Sequence, residues 1–161
     1  MKSMHVLLAT ALICALSNVA QAQGTNLHWG MSPVEVQALV PGTRTVSGES
    51  LSGKQLGSQG YQQFGRSRLR ARYFYDEAGL ALVELKGPGG RRCSAFVRAI
   101  GATFGEPLRT SNQIILQLAI WHDEPLDRRV RLMTSPAGFC DLYFEPLSEY
   151  RDIDLASGPI P

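Results

Sequence analysis

Four arginines, Arg66, Arg68, Arg70 and Arg72, stand at every second position of one short stretch. In a β-strand that spacing sets all four guanidiniums on one face, roughly 7 Å apart from one to the next. Each guanidinium offers a planar fork of donors, so such a row can grip carboxylates or phosphates. The same row can equally be a solvent face whose long stems lie over the sheet. Arg128, Arg129 and Arg131 add a smaller basic stretch.

Other residues able to do chemistry are few. Beyond the first 22 positions the histidines are His28 and His122. His122-Asp123-Glu124 sets acid/base and metal-binding types side by side, but consecutive residues rarely converge on one ion. The run precedes Pro125 and reads as a solvated hairpin loop. The chain has no Gly-x-Ser-x-Gly elbow, no His-Glu-x-x-His, no phosphate loop and no Cys-x-x-Cys, so no metal or cofactor is implied. Gly87, Gly89 and Gly90 precede a helical pattern and serve either as a linker or to present amides to an anion.

The ends and the charge bound the setting. Lys2, the apolar run Val6 to Leu16 and Ala20-Gln21-Ala22 form the three parts of a secretory signal. The run is too short to span a bilayer, which takes about 20 residues. The predicted cut falls between Ala22 and Gln23, with export to a bacterial periplasm. Cys14 lies inside the run, behind the bulky Ile13, and reads as part of the leader rather than a lipid anchor. Residues 23–161 suffice for one domain with a true core and carry 15 basic against 14 acidic side chains. That balance calls for no nucleic acid, and no second stretch is apolar enough for a membrane span. Cys93 and Cys140 remain, an even pair that an exported protein ordinarily joins.

Periodicity supplies the elements. Ser32-Pro33-Val34-Glu35 is a capping box with Pro at the first helical position, and Pro41-Gly42 ends that helix. Residues 43–65, rich in Gly, Ser and Gln, suggest one or two short strands joined by a flexible loop. Leu69–Tyr75 and Leu80–Lys86 form a hairpin around Asp76-Glu77-Ala78-Gly79. A plain four-residue loop there would set Val83 beside Arg72. A bulge or a longer loop would set Val83 beside Tyr73 and Leu85 beside Ala71, which keeps the faces unmixed. A second helix, about Arg92 to Phe104, carries Cys93, Phe96, Val97, Ile100 and Phe104 on one face. Strands follow at Asn112–Trp121, Arg128–Met133 and Phe139–Glu145, and a tail over 148–161 is expected to be mobile. Cys93 on a helix face and Cys140 on a strand face can staple the two, and closing that 47-residue separation suggests about 4 kcal/mol of chain entropy.

The expected fold is α+β: two amphipathic helices packed on an antiparallel sheet within 23–147. The order of elements admits a tandem helix-plus-meander repeat over 28–87 and 88–147.

Trp29-Gly30-Met31-Ser32-Pro33-Val34-Glu35-Val36 resembles the start of small bacterial envelope proteins of the SmpA/OmlA type and of the β-lactamase-inhibitor-like fold. That resemblance implies helices on an antiparallel sheet and a protein that works by binding others. The chain departs from the SmpA/OmlA type in lacking a lipobox cysteine and in opening with one helix rather than two. The leading expectation is a non-enzymatic binding module whose partner is another envelope protein or an anionic ligand. The alternative is a small hydrolase or metal-dependent enzyme using His28 or His122.

Intact mass of the protein recovered from a periplasmic fraction checks the export reading. It is expected to begin at Gln23 and to lack the two hydrogens lost on joining Cys93 to Cys140.

Overall fold

The computed structural model describes residues 27–156, so the expected secretory leader and the cut expected after Ala22 lie outside the described residues. The capping box forms as its residue types require. Glu35 Oε2 accepts from the Ser32 amide at 2.7 Å, and Ser32 Oγ accepts from the Glu35 amide at 3.4 Å. The Ser32 amide, and then its hydroxyl, which also donates to Oε2, hold the exposed Glu35 carboxyl below its ordinary value. These bonds launch α1 (Pro33–Leu39), which buries Val36 and hands on to the buried Val40.

Nine strands follow in one antiparallel sheet. They are β1 (Arg44–Thr45), β2 (Ser50–Leu51), β3 (Lys54–Phe64), β4 (Ser67–Asp76), β5 (Gly79–Lys86), β6 (Arg109–Asn112), β7 (Gln117–Asp123), β8 (Arg128–Thr134) and β9 (Cys140–Pro146). Their order is β1-β3-β4-β5-β9-β8-β7-β6, with β2 also paired to β3. α2 (Cys93–Phe104) follows a single 3-10 turn at Gly90–Arg92, and α3 (Leu147–Leu155) closes the described chain. The fold is thus α+β as expected, with three helices rather than two.

The β4–β5 hairpin takes the register that unmixes its faces. Ala71 pairs with Leu85 and Tyr73 with Val83, and a shift between Phe74 and Tyr75 supplies the extra residue. Their side chains join Leu142, Phe144, Val130 and Leu132 in the main core, capped by Val36 of α1 and by Phe96 and Ile100 of α2. Alternate residues on the same strands point to the other face. There Leu56, Phe74, Leu82 and Tyr143 form a small apolar cluster, and Arg129 and Arg131 alternate with the core residues Val130 and Leu132. α3 lies on this second face, since its buried Asp154 takes two bonds from Arg129.

Three expectations need correction. Residues 43–65 are mostly ordered strand, the eleven-residue β3. Its inward positions include Ser58 and Gly60, so no apolar alternation announces it. The stretch Asn112–Trp121 is two strands, β6 and β7, turned by the Gln113 amide donating to the Leu116 carbonyl at 2.8 Å. The supposed mobile tail forms α3 over Leu147–Leu155, while residues 157–161 lie outside the described ones.

Gly57 shows how tightly β3 is fitted. A Cβ there would stand 2.6 Å from the Tyr75 ring, and that ring is pinned because Tyr75 Oη and Ser58 Oγ share a 2.6 Å hydrogen bond. Gly57→Ala is expected to destabilise the fold by about 1–3 kcal/mol through overpacking. Chemical denaturation against the unsubstituted protein checks it.

Candidate functional site

The β3–β4 turn is two residues long, Gly65 and Arg66, with Gly65 at φ +55° as the first position of a type II′ hairpin requires. β4 therefore starts its pairing with β3 at Ser67. On its other side β5 ends at Lys86, opposite Arg70. The first residues of β4 thus run past the end of β5, and the chain swings away through Gly87-Pro88 into α2. The gap is a groove of about 800 Å³.

Its walls are basic. Arg66, Arg68 and Arg70 line it from the strand, and Lys86 and Arg92 from the departing chain. Phe64, Leu69 and Phe96, all buried, supply an apolar floor. No Asp or Glu among the described residues lines it. Arg68 stacks over the Tyr61 ring at 4.5 Å, a contact that orients the guanidinium and leaves its edge donors open. Positive charge concentrated in a concave site raises the local concentration of anions.

Three of the four ladder arginines therefore face the groove and the fourth does not. Arg72 donates to Glu84 Oε2 at 2.9 Å, is ion-paired with Glu49 and lies over Phe74. It starts an ionic ribbon across the second face. Lys86 reaches Glu84 at 2.9 Å and Asp141 at 2.8 Å. Burial would push the Lys86 ammonium down, but these carboxylates hold it above its ordinary value. Farther on, Arg131 and Arg129 each hold Glu145 at 2.8 Å, and Arg129 clasps Asp154 through two 2.7 Å bonds. Sequence reading missed Glu145 and Asp154, whose partners come from β8. It also left Lys86 and Arg92 out of the basic row, although Gly87, Gly89 and Gly90 between them marked the break in the chain that brings both to the groove.

The histidines do not converge with each other, and of the two only His122 stands near carboxylates, Glu124 at 4.0 Å and Asp154. His28 is exposed, and its backbone amide bonds the Met31 sulfur. His122 belongs to β7 rather than to a solvated loop, and its Nε2 lies 3.0 Å from Asp154 Oδ2. That carboxylate is already held by Arg129. Among the described residues no three His, Cys, Asp or Glu side chains gather to hold a metal ion.

Cys93 and Cys140, read as a staple, do meet. Both are buried as free thiols, each also near a backbone carbonyl, Phe139 for Cys93 and Pro88 for Cys140, at 3.6 Å. Burial first, and then the Cys93 side chain bonded to it, push the Cys140 thiol up to about 12. That makes Cys140 a poor nucleophile at neutral pH, because thiolate is the reactive form.

No family model matches the chain, and no curated protein or solved structure matches it.

The Arg129–Asp154 clasp yields a stability test. Burial pushes the Asp154 carboxyl up, but bonds from Arg129 and His122 outweigh it and leave the group below its ordinary value. Its contribution is therefore present above the ordinary carboxylate range and is lost as pH falls below it. Asp154→Asn is expected to cost about 3 kcal/mol at neutral pH, since it removes one partner of a buried pair. The variant should also lose part of the acid sensitivity of the parent, read by denaturant unfolding at several pH values.

Proposed function

We propose that this chain is an exported, non-enzymatic binding module of a bacterial envelope, and that its anionic partner docks in the basic groove at the end of β4. The observation that carries this reading is the set Arg66, Arg68, Arg70 and Arg92, exposed around one groove and ion-paired with no carboxylate among the described residues. Much of the sheet's other charge is paired internally, from Arg72 with Glu84 to Arg129 with Asp154, whereas these guanidiniums share one groove without a carboxylate.

The resemblance at Trp29–Val36 agrees with such a role, whether as an accessory of envelope assembly or as an inhibitor of a hydrolase. Within that reading the mirrored strand order, β3-β4-β5 beside β9-β8-β7, represents a tandem repeat of one helix-plus-meander unit. In the proposed compartment Cys93 and Cys140 join, fixing α2 to β9 beside the groove. The enzyme alternative has less support, because His122 is committed to Asp154 and His28 has no acidic side chain bonded to it among the described residues.

Capture from envelope extract tests the proposal. The triple variant Arg66→Gln, Arg68→Gln, Arg70→Gln removes exposed charge and should change stability by no more than about 0.5 kcal/mol at each position. Partner recovery is expected to fall at least tenfold, and the parent's recovery to fall as salt rises. Undiminished recovery by a well-folded triple variant would contradict the proposal.

A further inference from the structure

The groove is also an unfinished piece of sheet, and resting on the binding reading above, its backbone narrows the class of partner. Across a two-residue hairpin turn the flanking residues, here Phe64 and Ser67, form a hydrogen-bonded pair. Alternation then turns the backbone of Ser67, Leu69 and Ala71 toward β3, and that of Arg68, Arg70 and Arg72 toward β5. Arg70 and Arg72 meet Lys86 and Glu84 there, but β5 does not reach Arg68. The Arg68 amide and carbonyl thus open into the groove, where no strand among the described residues pairs with them on that side.

Open strand edges are templates for another strand. Natural sheets often blunt an edge with charge, and here the flanking charge is entirely of one sign. The same arginines that repel a basic edge attract an acidic one. We propose that an extended acidic peptide segment adds to β4 in the space beyond the end of β5, antiparallel to β4.

Such a strand has a definite chemistry. The residue opposite Arg68 shares its face and has Arg66 and Arg70 as diagonal neighbours, so an acidic side chain there, and one two residues farther on past the end of β5, meet the arginines, while the place opposite Arg70 stays with Lys86. The intervening side chains point to the other face, where Phe64, Leu69 and Phe96 form the floor. The partner motif is therefore acidic-apolar alternation, read by main-chain bonds for affinity and by side chains for specificity. Arg68 pairs by its narrow, hydrogen-bonded side, so the amides engaged belong to the acidic residues and not to the apolar ones.

A labelled hexapeptide alternating Val and Glu, titrated by fluorescence anisotropy, tests this. Methylating the backbone nitrogens of its glutamates keeps every charge and removes the donors that face β4. Methylating the valine nitrogens removes those facing away. The glutamate-methylated peptide is expected to bind at least tenfold more weakly than the parent, and the valine-methylated one within about threefold of it. Equal binding by all three would overturn strand addition while leaving an anion-binding groove, as would failure of the hexapeptide where hexaglutamate or a single-stranded oligonucleotide binds. If the hexapeptide, hexaglutamate and the oligonucleotide all fail to bind, the anionic-partner reading falls as well.

Discussion

A Cβ on Gly87 would lie 1.7 Å from the Cys140 carbonyl oxygen, so only glycine permits the chain to leave β5 across β9 as it does. Much of the site follows from that contact. β5 must end at Lys86, and Pro88, without an amide hydrogen, cannot prolong its ladder. β4 has no such obstacle and continues to the turn at Gly65. The mismatch between two neighbouring strands is the groove. The same crossing sets α2 down with Cys93 against Cys140, and Arg92 over the opening.

The second constraint is electrostatic. A sheet with helices on one face commonly offers its other face to water. Here that face is filled with charge that is largely used up internally, from Glu49 and Arg72 through Lys86 and Asp141 to Arg129 and Asp154. Buried pairs of this kind add little net stability but are costly to break singly. They also remove most of the face from recognition. The short run at the start of β4 keeps its guanidiniums out of this ribbon, because β5 stops before it could bring a carboxylate opposite Arg68.

How much of this could be read from residues alone depended on whether the inward side chains were apolar. The capping box at Ser32 and Glu35, the stripe on α2 and the β4–β5 register were legible, because each follows from local geometry or a hydrophobic period. β3 was not, since Gly57 and Gly60 leave their space to Tyr75 and Thr43 instead of filling it. Nor was α3, whose inward anchor is Asp154 held by Arg129, an ionic contact invisible to a search for apolar period. The arginine ladder was legible as a row but not as a site. Its period said nothing of where β5 stops, and only that endpoint separates Arg72, consumed by Glu84, from the three residues that face the groove.

Backbone amide chemical-shift mapping of residues 23–161 with hexaglutamate tests the central claim most directly. Shifts are expected to concentrate at residues 66–70 and 86–95 and to weaken as salt is raised. Shifts spread evenly over the molecule, or centred on the exposed Ile114 and Ile115 at the β6–β7 turn, would contradict it.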